Sequence, residues 1–155
     1  YGAIKFRPGD GNPDDHMTGS ATDFPMMRME EMKFIIAECE ARLDNSSATL
    51  VEIVKTRNPE YTCTLGGNDL LREVFFQKRV EFWGEGILLF DYKRLDAGIT
   101  RAYPGSNHAG VFKYNTVGRS PQWNIVITRA EFQSNTAIND SNNNPDPSGT
   151  IKLAQ

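Results

Sequence analysis

Apolar positions between Met29 and Leu43 recur at alternating steps of three and four. Met29, Met32, Ile36, Cys39 and Leu43 therefore form one stripe on a helix of 3.6 residues per turn, predicted over Pro25 to Leu43. Asp23 can cap its free amides, and Pro25 suits the first turn. Ala37 and Ala41 lie one turn apart and would let a second helix approach closely. Glu38 and Arg42 form an i,i+4 pair on the polar side, and Asp44-Asn45 ends the helix. A shorter helix is expected at about Ser47 to Arg57, with Leu50, Ile53 and Val54 buried and Pro59 forbidding continuation. The short connection makes the two an antiparallel hairpin.

Residues 58–68 read as a loop ending in Gly66-Gly67, after which Asn68 or Asp69 can cap a third helix running to about Trp83. Leu71, Val74, Phe75, Phe76, Val80, Phe82 and Trp83 nearly encircle it, and a helix apolar almost all round is buried on more than one side. Gly84 and Gly86 weaken and turn the chain before a fourth short helix, Ile87 to Leu95. Residues 96–122 carry Gly, Pro, Asn and Ser with scattered aromatics and little period. Trp123 to Ile127 suggests a short strand or extended segment. Thr128-Arg129-Ala130-Glu131 fits a capping box opening one or two helical turns. The fold class is mainly α: helical hairpins with an irregular, loop-rich C-terminal portion. Two successive hairpins suit a helical-repeat protein. The chain divides into an irregular N-terminal segment (1–24), a helical domain (25–135) and a polar tail (136–155) expected to be flexible.

Composition narrows the function. At 155 residues the chain fits one domain. A net charge of −3 without a Lys/Arg cluster argues against nucleic-acid binding. The longest apolar run, Ile87 to Phe90, falls far short of the roughly 20 residues that cross a bilayer. The chain opens at Tyr1 without an initiator Met, so any targeting signal is expected upstream. Cys39 lies on the predicted apolar stripe and is expected to be a small buried hydrophobe, with a disulfide to Cys63 as the alternative.

Candidate chemistry is sparse. Asp10-Gly11-Asn12-Pro13-Asp14-Asp15 has the opening of a calcium loop, but Asp15 stands where Gly is needed and Ala21 where a bidentate Glu is needed. His16 and His108 have no second ligand at motif spacing, so no metal is expected. Glu81 and Glu85, one helical turn and about 6 Å apart, have the separation of a retaining glycosidase pair. The nearby Lys78, Arg79 and Arg94 instead favour a structural ion network, since carboxylates beside buried aromatics need partners. Tyr103, Phe112, Tyr114 and Trp123 sit among Asn, Asp and Arg. That mixture suits sugar recognition, and Tyr103, Tyr114 and Trp123 are the candidate ligand contacts; packing of the loop onto the helices is the alternative.

The run from Arg28 to Ala41 (RMEEMKFIIAECEA) resembles the R-x-x-E-x-x-L-I-x-A-E-A helix of SusD/RagB-type proteins. Lys78 to Gly86 (KRVEFWGEG), followed by Phe90 to Arg94 (FDYKR), resembles that family's E-R-R-x-E-F-x-x-E-G-x-R-x-x-D-L-x-R signature. The segment before Glu131 and Asn135 is similar to its C-terminal I-P-x-x-E-x-x-x-N element. Gln77 replaces the family's Glu, Leu88 its Arg, Tyr92 its Leu and Thr128 its Pro; the first two are consistent with one ion pair deleted as a unit. The resemblance implies tetratricopeptide-like hairpins, with the matched region belonging to the C-terminal part of a longer protein. It implies capture of an oligosaccharide or other nutrient, delivery to a SusC-like TonB-dependent transporter, no catalysis and no cofactor. It also implies an outer-membrane, surface-exposed location through a lipid anchor upstream, so that neither Cys39 nor Cys63 is the anchor. Glu31, Arg79, Glu81, Glu85, Asp91 and Arg94 are then scaffold residues. A helical-repeat adaptor contacting the transporter without a sugar site is the competing expectation.

Overall fold

The computed structural model describes Lys5, residues 25–119 and residues 123–144. Among them are five helices: α1 (Met29–Leu43), α2 (Ala48–Lys55), α3 (Gly67–Glu81), α4 (Leu88–Arg94) and α5 (Arg129–Ser134). The chain forms two compact units, Tyr1–Gly86 and Ile87–Gln155. The fold class is mainly α, and the only β-type pairing among the described residues is an isolated bridge between Thr100 and Asn115.

In the first unit α1 packs against both α2 and α3. Its buried face is Phe34, Ala37 and Ala41. The two alanines allow the close approach that their spacing predicts. The stripe expected to be buried faces outward instead: Met29 is 70% exposed, Ile36 51% and Leu43 81%. Ala37 lies five residues beyond Met32, about 140° further round the helix. Periodicity identified a helix but selected the wrong face, because the small alanine face permits backbone approach and the methionine face does not. Cys39 shares the outward face, so it is an exposed free thiol and not a buried hydrophobe; Cys63 is also free.

α1 begins four residues later than predicted, after Arg28, whose backbone is extended (φ −132°, ψ 150°). Asp23 lies outside the described residues. At the other end the Ser46 amide reaches back to the Glu40 carbonyl (3.3 Å), and Asn45 turns the chain at φ +52°. Glu40 then serves the next helix: its carboxylate accepts from the Thr49 amide (3.1 Å) and hydroxyl (2.7 Å). The N-terminus of α2 is thus capped by α1, which ties the hairpin at its turn. α2 buries Leu50, Ile53 and Val54 as expected.

α3 buries a single line, Leu70, Val74 and Lys78, continued by Phe82. The encircling apolar set is corrected: Phe76, Val80 and Trp83 are each more than half exposed. The N-cap position is Gly66, and Asn45 accepts from the Gly67 amide at 2.5 Å, so the α1–α2 turn receives α3 directly. The connecting loop is pinned by Tyr61, whose hydroxyl donates to Glu73 (2.7 Å); Gln77 donates to the same carboxylate oxygen at 2.7 Å. Burial, together with that acceptor, pushes the Tyr61 hydroxyl pKa well above its ordinary value.

In the second unit Asp91 of α4 is buried and accepts from Arg94 at 2.8 Å. Residues 99–102 run antiparallel to 114–116. Ile99 exchanges hydrogen bonds with Thr116, and the Asn115 side chain accepts from the Arg101 and Ala102 amides. Gly98 is required here, since a Cβ would sit 2.1 Å from the Thr116 carbonyl oxygen. Residues 124–127 form no strand. α5 starts where expected, but Thr128 makes no side-chain cap, and Glu131 accepts from Asn135 (3.0 Å) instead of closing a capping box. The described part of the tail, 136–144, is tied back by Asn143 and Asn144 to the backbone of Ile127 and Ile125.

Phe34→Ala is expected to cost about 3–5 kcal/mol by opening a core cavity. Ile36→Ala should change stability by about 0.5 kcal/mol or less, as for exposed positions. Urea-unfolding midpoints of the two variants distinguish the buried face from the outward one.

Candidate functional site

The carboxylate pair picked out by its spacing lies under a guanidinium. Phe82 ends α3, fully buried and edge-on to Phe34 (centroids 5.6 Å apart, planes at 68°). Arg28 lays its guanidinium over the Phe82 ring at 4.7 Å. From there Arg28 donates to the Glu81 carboxylate (2.9 Å) and to both oxygens of Glu85 (2.8 and 3.1 Å). It also reaches the Glu81 carbonyl (3.2 Å). Gly84 makes this possible: at φ +80° it turns the chain so that Glu85 returns beneath the same guanidinium. Arg57 of the α2–α3 loop donates to Glu81 at 3.1 Å, and Lys5 pairs with Glu85 and donates to the Glu81 carbonyl. The Glu85 side chain is only 3% exposed.

The cations named from sequence for this pair were Lys78, Arg79 and Arg94; those that grip it most visibly are Arg28, Arg57 and Lys5. Arg28 was legible as the first residue of the R-x-x-E run, but its reach across 53 and 57 residues was not. Of the other network candidates, Lys78 is buried within α3, and Arg79 lies over the Phe75 ring at 5.9 Å. Asp91 and Arg94 pair with each other in the second unit. Glu31 is half-buried in the first turn of α1 and takes no ion pair among the described residues.

This arrangement opposes acid catalysis. Burial alone would raise the Glu81 carboxyl, but the hydrogen bonds from Arg57 and Arg28 outweigh it and hold it below the usual carboxylate range. Burial likewise works against the Arg28 cation, and its bonds to Glu85 and Glu81 more than compensate, raising its pKa. A glycosidase needs one carboxyl to keep a proton for the leaving group; Glu81 is held ionised, and both oxygens of Glu85 are engaged.

The aromatic candidates lie in the second unit and fall into different settings. Trp123 packs edge-on against Tyr92 (5.7 Å, 84°), and its carbonyl accepts from Lys93 at 3.0 Å. Tyr114 is half-buried beneath the Arg101 guanidinium, 5.7 Å from its ring. Tyr103 is 49% exposed at the head of a turn closed by the Ser106 amide on its carbonyl. A recess of about 550 Å³, missed by the sequence reading, lies in the same unit. Phe132 of α5, Val126 and Ile127 supply its apolar wall, with Arg129, Asp140, Asn143 and Asn144 around it. Among the described residues no group of three or more His, Cys, Asp or Glu could hold a metal. The calcium-loop residues 10–15, together with His16 and Ala21, lie outside the described residues.

The first unit is a helical hairpin and a third helix locked by an ion cluster, and the second is loop-rich with a recess that has apolar and polar walls. The chain belongs to the SusD family, whose model matches residues 4–149. No curated protein and no solved structure matches it. The family is one of non-catalytic, nutrient-binding proteins of the outer membrane. No helix among the described residues is long and apolar enough to cross a membrane.

Arg28→Ala is expected to cost about 1.5–3 kcal/mol, because the buried Glu85 and half-buried Glu81 lose their shared cation while Lys5 and Arg57 remain. The Glu81 pKa is lowered in the folded chain, so its contribution is present above the unfolded carboxylate value and is lost as pH falls below that value and through the lowered folded one. Unfolding midpoints from pH 7 to pH 3 should fall for the wild type, with a shallower Glu81-linked fall in Arg28→Ala.

Proposed function

We propose that this chain is part of a surface component that captures an oligosaccharide or a comparable nutrient for a SusC-like TonB-dependent transporter. The family match over residues 4–149 carries the proposal. The chain contributes no chemistry of its own; the Glu81–Glu85 pair acts as a lock. Attachment to the outer membrane by a lipid anchor is proposed from the family. Ligand contact is assigned to the second unit, with Tyr103 offering the most accessible ring of the three sequence candidates. Tyr114 and Trp123 contribute through the loops they brace against Arg101 and Tyr92.

A second reading draws on the outward apolar face of α1. Met29, Ile36 and Leu43 expose apolar surface of the kind that marks protein contacts. In that reading the chain is a helical-repeat adaptor that touches the transporter and has no sugar site.

Affinity electrophoresis of the chain through gels containing different polysaccharides tests the choice. Retardation by at least one glycan, weakened in Tyr103→Ala, is expected. Unretarded migration in every gel, with the chain still co-purifying with the transporter, favours the adaptor.

A further inference from the structure

The recess beside α5 has braced walls. The Ile127 amide donates to the Asn143 side chain at 2.9 Å, and that side chain donates back to the Ile127 carbonyl at 3.2 Å. Asn144 donates to the Ile125 carbonyl at 2.6 Å. The turn carrying Asp140 is held by Asn142, which accepts from the Asn139 amide (2.8 Å) and donates to the Ala137 carbonyl (2.8 Å). Three amide side chains thus fix the backbone around the opening, and Arg129 and Asp140 remain. Among the described residues neither side chain takes an ion pair or hydrogen bond, and both residues line the recess. The volume of about 550 Å³ falls within the roughly 300–1,000 Å³ of small-molecule sites.

An aromatic wall beside one unspent donor and one unspent acceptor selects among ligand chemistries. An acidic ligand would be drawn by Arg129 and repelled by Asp140, and a cationic one the reverse. A hydroxyl both donates and accepts, so a neutral polyhydroxylated ligand satisfies both without burying a net charge. Its C–H face has the Phe132 ring to lie on. We propose that this recess is a subsite for a neutral oligosaccharide, with Phe132 against one sugar ring, Arg129 donating to a ring hydroxyl oxygen and Asp140 accepting from a hydroxyl. The assignment rests on the glycan-binding reading above and places a contact outside Tyr103, Tyr114 and Trp123.

Calorimetric titration of the whole chain with maltotriose, cellotriose, mannotriose and xylotriose, and with trigalacturonate as the acidic counterpart, tests it. At least one neutral trisaccharide should bind, and trigalacturonate at least tenfold more weakly. Arg129→Ala, Asp140→Ala and Phe132→Ala should each weaken the neutral ligand tenfold or more, and Asp140→Asn should narrow the discrimination against trigalacturonate. Arg129 and Asp140 are exposed, so unfolding midpoints within a few degrees of wild type are expected for their variants. Should Phe132→Ala unfold, amide shifts of the wild type on adding the bound trisaccharide decide in its place. Shifts concentrated in residues 126–144 support the subsite, and shifts confined to the surroundings of Tyr103 overturn it. Neutral-sugar binding that survives all three alanine variants overturns the subsite and leaves the glycan-binding reading standing. Absence of binding to every probe overturns the subsite, and with unretarded electrophoresis the reading falls as well.

Discussion

Arg28 meets Phe82, Glu81 and Glu85 at one point, and the first unit is organised around that contact. The guanidinium covers the face of a fully buried ring and forks to two carboxylates brought together by the turn at Gly84. Its planar donors suit this task in a way a lysine ammonium does not, because several bonds in different directions leave from one rigid group. The contact also constrains its surroundings. Glu85 is almost wholly removed from water, and Arg28 and Lys5 are the cations paired with it there. Arg28 holds an extended backbone at the mouth of α1 while its side chain grips the end of α3. The hairpin and the third helix are therefore joined at that end by charge as well as by the Phe34–Phe82 contact.

This lock separates scaffold from surface. The strongest carboxylate motif in the sequence is consumed in holding helices together, which leaves recognition to other residues. In the first unit the surface left over is the apolar side of α1 and the outer side of α3. In the second unit it is the exposed ring of Tyr103 and the braced recess beside Phe132. The two units thus leave different kinds of surface to solvent, an apolar helix side in the first and a recess braced by amide side chains in the second.

Asparagine carries much of the second unit. Asn115, Asn142, Asn143 and Asn144 supply side-chain hydrogen bonds to backbone groups where no sheet is available to do so. Between α4 and α5 the described residues hold one isolated β-bridge and one short 3-10 turn, so few regular elements supply these bonds. Composition did not reveal which amides pair, since each bond spans up to 19 residues and depends on where the chain has already turned. The recess was hidden for the same reason, as its walls come from α5, from Val126 and Ile127 before it, and from Asp140, Asn143 and Asn144 after it.

The order of residues alone determined the helices, their breaks and the family, because these depend on local spacing: the three-and-four rhythm of α1, Pro59 after α2, the glycines after α3, and the run from Lys78 to Arg94. It also marked Glu81 and Glu85 as structural partners in waiting. Only the tertiary structure decided which face of α1 is buried, since two faces could pack and the alanines admitted the closer neighbours. It alone decided that Arg28 and Arg57 answer the carboxylates, and that Phe132, Arg129 and Asp140 share one concavity. Those outcomes follow from distance in space between residues far apart in the chain, which no local pattern encodes.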